Sequence, residues 1–324
     1  MGGSMHRLFK SVLAVGAVPL LAAACTSTGS GGGSGSGGSS SGALPIGTFS
    51  QATSSGLTAA GAATPPPGAN VACTPSAAHP YPVVLVHGTF ENQNFNWLAL
   101  SPMLKNAGYC VYTFNYGANS NTNGIFYGLG DIATSAQQLA TEVNTVLSET
   151  GASQVDIVGH SQGGMMPRYY INDLGGASKV HMLVGLAPSN YGTTLDGLTT
   201  LGTDLGVLNL ANQVAGAIGQ SLVQQEQGSS FLAALNKMPT QPNVQYVVIE
   251  TTHDEVVTPY KNAYLPAAPN VQNITVQNQC PSDPTGHIGM AYDQPALQDT
   301  LNALGADSPS FTPTCSSSGY GPGI

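Results

Sequence analysis

Residues 155–164 read Val-Asp-Ile-Val-Gly-His-Ser-Gln-Gly-Gly and are followed by a helix-compatible run at 165–174. The β-branched residues predict a short strand, and this strand leads directly into the pattern Gly-x-Ser-x-Gly. Ser161 would lie on a strained turn, and Gly159 and Gly163 would leave room where the strand and the helix approach each other. The sequence therefore predicts a strand, a sharp turn and a helix, with Ser161 exposed as a nucleophile at the start of the helix.

Apolar runs alternate with amphipathic stretches from residue 82 onward. This alternation is typical of a parallel sheet that is covered by helices on both faces. We therefore predict an α/β fold with a mostly parallel, six-stranded sheet. The candidate strands are 82–87, 110–115, 154–159, 180–186, 244–251 and 271–276, and the clearest candidate helices are 97–106, 132–147 and 294–304.

The N-terminal part of the chain differs in composition from the rest. Residues 1–5 have the character of a cloning remnant ahead of a natural start at Met5. The basic residues, the short apolar run and the Ala-Ala-Ala stretch of 6–24 predict a signal peptide. Residues 25–70 are rich in Gly, Ser and Pro and predict a flexible linker. The catalytic domain is predicted at 71–324.

Cys25 directly follows the predicted cleavage site. Leu-Ala-Ala-Ala-Cys at 21–25 resembles the lipobox of bacterial lipoproteins, in which the cysteine carries a lipid anchor. The match is incomplete, because Ala22 stands where leucine is preferred. Two locations therefore stay open: free secretion, or tethering through Cys25 to the outside of the bacterial membrane.

The predicted domain contains four cysteines, Cys73, Cys110, Cys280 and Cys315. An even number of cysteines in an exported chain predicts two disulfides, for which three pairings can be drawn. We favour Cys73 with Cys110 and Cys280 with Cys315, because each pair brackets a coherent segment. The second disulfide would brace the loop that carries His287.

The chain contains 7 Lys and Arg against 16 Asp and Glu, and its formal net charge is −9 at pH 7. An acidic chain without a basic patch is not suited to bind nucleic acid. No Cys-x-x-Cys or His-x-x-x-His spacing indicates a metal site, so we expect neither a metal nor a cofactor. We expect a monomer.

A serine nucleophile requires a histidine as base, and this histidine must be oriented by a carboxylate. The sequence offers both partners in the chain order serine, acid, histidine. Asp254 follows the strand predicted at 244–251, and the neighbouring Glu255 is the alternative acid. His287 lies in the glycine-flanked loop Gly-His-Ile-Gly and is the predicted base. No catalytic role is assigned to His160, which fills the variable position of the turn.

Acyl transfer also requires hydrogen-bond donors for the negative charge that develops on the substrate oxygen. The N–H group of Gln162 lies at the start of the helix, where the helix dipole also favours negative charge. The segment Val-His-Gly-Thr-Phe at 86–90 follows the first strand, where the second donor is expected. We predict the N–H group of Thr89 for this role, with that of Phe90 as the alternative.

The segment 189–239, roughly fifty residues long, lies between two predicted strands. A crossover helix needs far less chain. Its apolar residues predict one or two helices that would form a mobile lid over the active site, and the alternative is an ordinary crossover with an insertion. The residues on which this prediction rests are Leu205, Leu208, Val214, Ile218, Leu222 and Val223.

Four motifs in the domain invite comparison with known families. They are Val-His-Gly-Thr-Phe at 86–90, Gly-His-Ser-Gln-Gly-Gly-Met-Met-Pro-Arg at 159–168, Thr-His-Asp-Glu-Val-Val at 252–257 and Gly-His-Ile-Gly-Met at 286–290. Together they resemble the class 2 bacterial triacylglycerol lipases and esterases of the α/β-hydrolase superfamily, over residues 73–315. The resemblance implies an α/β-hydrolase fold, carboxylester hydrolysis and a triad of Ser161, Asp254 and His287. The smallest lipases with similar motifs lack a lid, and the chain departs from them at 189–239.

The resemblance also implies an ester or lipid substrate and contact with a lipid interface. Two alternative activities use the same triad: acyl transfer to an alcohol, and hydrolysis of polyesters. A third alternative is a surface protein that binds ligands and has lost catalysis. The intact positions Ser161, Asp254 and His287 argue against this last alternative.

Overall fold

The computed structural model of the protein describes residues 42–205, 219–305, 308 and 310–315. The predicted signal peptide, the predicted lipidation site Cys25 and the first part of the predicted linker lie outside the described residues. Leu208, Val214 and Ile218 of the insertion also lie outside them. Within the described ranges, no helix combines the length and the apolar character needed to cross a membrane.

Six parallel strands form one sheet in the order β2-β1-β3-β4-β5-β6. They are β1 (Val83–Val86), β2 (Val111–Thr113), β3 (Val155–His160), β4 (Val180–Leu186), β5 (Gln245–Glu250) and β6 (Val271–Thr275). The six predicted strands and the predicted α/β fold are thereby confirmed. The strand order reverses between β1 and β3, so the loops that follow these two strands lie side by side at the carboxyl edge of the sheet.

Helices cover both faces of the sheet. They are α1 (Phe49–Gly56), α2 (Ala59–Ala63), α3 (Gln93–Trp97), α4 (Leu100–Asn106), α5 (Ile132–Thr150), α6 (Gln162–Asp173), α7 (Leu195–Asp204), α8 (Gln220–Gln225), α9 (Ser230–Leu235), α10 (Val276–Gln279) and α11 (Gln294–Leu304). The side chain of Asp131 caps the start of α5 by accepting a hydrogen bond from the N–H group of Thr134. Asp293 caps the start of α11 in the same manner.

The strand side chains divide the core into two apolar clusters, one on each face of the sheet. On β1, Val83 and Leu85 belong to one cluster and Val84 and Val86 to the other, as the two-residue period of a strand requires. Helices α4 and α11 pack against the first cluster, and α5 and α6 pack against the second. Because both faces are covered, the strands are continuous apolar runs, and such runs are visible in the sequence.

The structure corrects the predicted boundary at residue 71. The segment 43–70, predicted as part of a flexible linker, forms α1 and α2 and packs against the domain. The ring of Phe49 makes edge contacts with those of Phe95 and Tyr292, at centroid distances of 5.7 and 5.5 Å. The segment consists largely of Ala, Gly, Ser and Thr without apolar periodicity, so its order depends on these tertiary contacts.

The two predicted disulfides are present. Cys73 is bonded to Cys110 and Cys280 to Cys315, at sequence separations of 37 and 35 residues. Cys110 immediately precedes β2, so the first disulfide joins the start of this edge strand to the segment before β1. Cys280 directly follows α10, so the second joins the start of the loop that carries His287 to the C-terminal segment.

The described parts of the insertion 189–239 contain three helices, α7, α8 and α9, where one or two were predicted. Thr193 pairs with the segment after α8, because its N–H group donates to Gln225 O and its carbonyl accepts from the N–H group of Gln227. Leu205 is buried in the first apolar cluster, and Val223 is 57% exposed. The second half of the insertion is therefore bonded to its start.

Truncation tests the corrected N-terminal boundary. We expect removal of residues 1–70 to lower the free energy of unfolding by about 3 kcal/mol or more, because Phe95 and Tyr292 lose the aromatic contacts and the cover provided by Phe49. Removal of residues 1–41 is the matched control and should leave this free energy unchanged. Urea denaturation measures the free energy of unfolding of the wild type and of both truncated proteins. Equal stability of the wild type and the longer truncation would contradict the boundary.

Candidate active site

Ser161 lies on the sharp turn between β3 and α6, with φ of 54° and ψ of −122°. Its N–H group donates to Leu186 O on the neighbouring strand at 2.9 Å. A Cβ atom on Gly159 would lie 1.8 Å from Gly163 O, and one on Gly163 would lie 2.1 Å from Val86 O. The turn thus has the predicted conformation and requires both glycines. In contrast to the prediction, Ser161 is not exposed: it is 3% accessible.

The loops that follow β5 and β6 bring Asp254 and His287 together. Asp254 Oδ2 lies 2.8 Å from His287 Nδ1, and both side chains are fully buried. Asp254 Oδ1 accepts hydrogen bonds from the N–H groups of Val256 and Val257. The carboxylate therefore has a fixed position and favours the imidazole tautomer with a proton on Nδ1.

The opposite ring nitrogen, His287 Nε2, has no hydrogen-bond partner among the described residues. No hydrogen bond joins it to Ser161 in the described part of the chain. Catalytic hydrogen bonds are often long in the absence of substrate and shorten in the complex. With Nδ1 protonated, the lone pair of Nε2 is available to accept a proton.

Glu255, the alternative acid, contacts the same histidine at a different place. Its two carboxylate oxygens accept from the backbone N–H group of His287 at 3.2 and 3.0 Å. The ring of His287 is bonded to Asp254 instead. This geometry favours Asp254 as the orienting acid and gives Glu255 the role of holding the histidine loop.

Opposing effects determine the pKa of His287. Burial lowers it, because burial disfavours the charged imidazolium. The negative charge and the hydrogen bond of Asp254 act in the opposite direction, and the charges of Glu255 and Glu91 add to them. Together these carboxylates raise the pKa of His287 above its ordinary value of 6.5.

Glu250 is a site residue that the sequence analysis missed. It ends β5 and is fully buried, and Thr251 N–H donates to its Oε1 atom at 2.7 Å. Burial raises the pKa of its carboxyl well above the usual range, and the negative charge of the nearby Asp254 adds to the shift. Its Oε2 atom has no hydrogen-bond partner among the described residues. The sequence could have indicated Glu250 only by its position at the end of β5, just before Asp254.

The backbone N–H groups of Thr89 and Gln162, the two predicted oxyanion donors, differ from that of Phe90, the alternative, in their hydrogen bonding. The N–H group of Phe90 donates to Tyr127 O at 2.9 Å and is therefore occupied. The N–H groups of Thr89 and Gln162 have no acceptor among the described residues. The structure thus favours Thr89 over Phe90 as the second donor.

Two glutamine side chains hold Thr89 in place. Gln162 Nε2 donates to Thr89 Oγ1 at 2.8 Å, and Gln225 Nε2 donates to the same oxygen at 2.9 Å. Gln225 belongs to α8 of the insertion, and Ser221 of the same helix donates to Gly128 O. The insertion is therefore bonded to the loop of the oxyanion donor. The sequence analysis missed Gln225, because it is 136 residues away from Thr89 along the chain.

Arg168 anchors the start and the end of the insertion to α6. Its buried guanidinium donates to Asn190 Oδ1, Asn236 Oδ1 and Pro239 O. Burial lowers its pKa to about 10. Because these acceptors are neutral oxygens, Arg168 holds the ends of the insertion without a salt bridge to any described residue.

A surface cleft of about 580 Å³ lies beside the acid and histidine loops. It is lined by Thr200, Asp204, His253, Glu255, Pro281, Ser282, Asp283, Pro284 and Gly286. Ser161 does not line it. The described residues contain no group of three or more His, Cys, Asp or Glu side chains that could hold a metal ion.

The pKa of His287 can be measured directly. We expect an NMR titration of the imidazole to give a pKa above 6.5 in the wild type. In Asp254→Asn it should fall below 6.5, because burial remains and the largest favourable charge is lost. Glu255→Gln is the matched control and should lower the pKa by less. An unchanged pKa in Asp254→Asn would contradict the assignment.

Comparisons with known proteins identify the family of the chain. The family model described as "Lipase (class 2)" matches residues 80–294. A triacylglycerol lipase of Burkholderia plantarii is 38% identical over 106 residues, which are 31% of this chain and 28% of that protein. One of Pseudarthrobacter phenanthrenivorans is 38% identical over 98 residues, 29% of this chain and 28% of that protein. The chain thus matches less than a third of either relative.

Solved structures of low sequence identity share the fold. Lipase B of Aspergillus fumigatus aligns with a TM-score of 0.55 and 20% identity, covering 78% of this chain and 61% of that one. The mature lipase BlEst2 of Bacillus licheniformis aligns with a TM-score of 0.50 and 16% identity, covering 75% and 96%. Because the family model matches well over half of the chain, the protein belongs to the class 2 lipase family, with an α/β-hydrolase fold.

Proposed function

We propose that the protein is a serine carboxylester hydrolase, a lipase or esterase, that acts through Ser161, His287 and Asp254. The observation that carries the proposal is the 2.8 Å hydrogen bond between His287 and Asp254 beside a strained serine turn. The backbone carbonyl of His287 is itself bonded to His160, the residue before Ser161. Membership of the class 2 lipase family supports ester hydrolysis as the reaction.

The proposed mechanism is acyl transfer through the three side chains. Ser161 Oγ attacks the ester carbonyl while His287 Nε2 takes its proton, and Asp254 stabilises the imidazolium that forms. The tetrahedral intermediate then collapses, and the imidazolium gives its proton to the departing alcohol. Water, activated by the same histidine, hydrolyses the acyl enzyme and regenerates the free serine.

The negative charge of the tetrahedral intermediate rests on the N–H groups of Thr89 and Gln162. Both groups lack a protein acceptor among the described residues, so they can donate to the substrate oxygen at no loss of an existing bond. The loss of one such donor typically costs about 100-fold or more in rate. The hydrogen bonds from Gln162 and Gln225 to Thr89 Oγ1 keep this loop in position before the substrate arrives.

Substrate entry requires a movement of the structure, because Ser161 and His287 are 3% and 0% exposed. Leu201 of α7 and Leu205 lie in the same apolar cluster as Ile288, the residue after the predicted base. Displacement of α7 would expose apolar side chains that a lipid surface can cover. This arrangement favours water-insoluble esters as substrates.

The experiment that tests the function compares Ser161→Ala with the wild type on p-nitrophenyl esters from C2 to C16. We expect the variant to lose activity by about 10⁴-fold or more, since the nucleophile is removed. Ser135→Ala is the matched control, because the hydroxyl of this buried serine in α5 has no hydrogen-bond partner among the described residues. A folded wild type that cleaves no ester in the series would overturn the proposal.

The same assay separates lipase from esterase. Specific activity that rises when the ester exceeds its solubility indicates opening of the insertion at an interface, and unchanged activity counts against such a lid. Added alcohols and polyester films test acyl transfer and polyester hydrolysis with the same triad. A site that is labelled by a fluorophosphonate at Ser161 but cleaves none of these substrates points to another acyl class.

Export of the protein is a further part of the proposal. Two disulfides are compatible with an oxidising compartment, and the signal sequence predicted at 6–24 supports secretion or tethering. Cell fractionation with palmitate labelling distinguishes the two. Label that depends on Cys25 in the membrane fraction indicates a lipoprotein, and unlabelled protein in the medium indicates free secretion. Retention in the cytosol would contradict both.

A further inference from the structure

Glu91 and His160 form a buried pair that the mechanism above does not use. Their side chains are 1% and 0% exposed, and His160 Nδ1 lies 3.0 Å from Glu91 Oε2. A buried ion pair contributes little to stability relative to apolar residues of similar volume. Stability alone therefore does not explain why these two residues are buried together.

Donor and acceptor chemistry determines where the protons lie. His160 Nε2 is 3.0 Å from His287 O, and a carbonyl oxygen can only accept, so Nε2 carries a proton. Glu91 Oε2 accepts from the N–H group of Gly88 at 2.7 Å. One further proton must lie between Glu91 Oε2 and His160 Nδ1, because two bare lone pairs would repel each other at 3.0 Å.

These bonds form one continuous connection between the two halves of the site. It runs from the N–H group of Gly88 through Glu91 and His160 to the carbonyl of His287. Gly88 immediately precedes Thr89, the proposed oxyanion donor. A Cβ atom on Gly88 would lie 2.6 Å from Glu91 Oε2 and 3.0 Å from Ser161 Cβ, so the backbone passes between the pair and the nucleophile.

Asn96 also contacts both Gly88 and His160. Its Oδ1 atom accepts from the N–H group of Gly88 at 3.2 Å, which fixes the orientation of the amide. Its Nδ2 atom then faces His160 Nδ1 at 3.2 Å. Nδ1 offers either one proton or one lone pair, so it makes one strong hydrogen bond, and the contact with Glu91 is the shorter of the two at 3.0 Å. Asn96 therefore supports the Gly88 end, and the link to His160 runs through Glu91.

We propose that Glu91 and His160 are positioning residues that set the distance between the oxyanion donor Thr89 and the base His287. The inference rests on the proposed function of these two groups. The pair contacts backbone atoms of both loops and lies directly behind Ser161. A shift of either loop by about 1 Å would cost rate without removing any group that contacts the substrate.

Two variants test the proposal on a soluble ester. In Glu91→Gln, a single amide oxygen could keep both bonds, to Gly88 N–H and to His160 Nδ1–H, only if both nitrogens of His160 carried a proton. His160 would then be a buried cation without a counterion. We therefore expect this variant to break the connection at one point. Glu91→Gln/His160→Phe removes the imidazole as well and leaves no buried charge. We expect kcat to fall about 10- to 100-fold in each variant, with KM changed less than about threefold. The double variant should be no slower than the single one, because a connection broken at one point is already lost.

A spectroscopic readout does not depend on turnover. The proton on His287 Nδ1, bonded to Asp254, should give a strongly downfield NMR resonance in the wild type. We expect this resonance to shift upfield in both variants as the histidine loop moves. Circular dichroism and urea denaturation establish that each variant is folded, and Glu91→Gln remains informative if the double variant is not.

Asp156→Asn is the matched control, because Asp156 and His181 form a similar pair at 2.8 Å near the amino ends of β3 and β4. It should alter stability but neither kcat nor the His287 resonance. Folded variants of Glu91 and His160 with wild-type kcat and an unshifted resonance would overturn the inference while the esterase function stands. A wild type without esterase activity would overturn both.

Discussion

The positive φ of Ser161 is the constraint on which the rest of the site depends. A non-glycine residue in this conformation costs on the order of 1–3 kcal/mol, so the surrounding structure must hold it. The hydrogen bond to Leu186 O and the close packing of Gly159 and Gly163 do so. Because α6 begins at the next residue, the same turn also places the N–H group of Gln162 at the nucleophile.

Several buried carboxyl groups belong to the site, and the cost of burying each one is offset in a different way. Asp254 accepts from two backbone N–H groups and the ring of His287, and Glu255 accepts from the backbone of the same histidine. Glu91 accepts from Gly88 and is paired with His160. Burial favours the neutral form of Glu250. This arrangement keeps His287 basic without leaving a buried charge unpaired, which would cost several kcal/mol.

The insertion is joined to the site by hydrogen bonds and also contributes apolar side chains to the core. Through Gln225 it is bonded to Thr89, and through Arg168 its ends are fixed to α6. Leu201 of its helix α7 is buried in the same apolar cluster as Ile288, the residue after His287. The polar contacts of α8 thus hold the loop of Thr89, while α7 buries the apolar side chains of Leu198 and Leu201.

The sequence by itself determined the six strands and the serine turn, because these follow from local patterns: apolar runs and a glycine-flanked serine. It favoured one of three disulfide pairings, and the tertiary structure decided between them, because pairing depends on which cysteines meet in space. The sequence preferred Asp254 over Glu255 and Thr89 over Phe90, but only the tertiary structure shows how the contacts of these neighbours differ. The tertiary structure alone ordered the segment 43–70 and joined His160 to residues 69 and 127 positions away. Such contacts depend on the packing of distant loops at one edge of the sheet, and no short stretch of sequence encodes them.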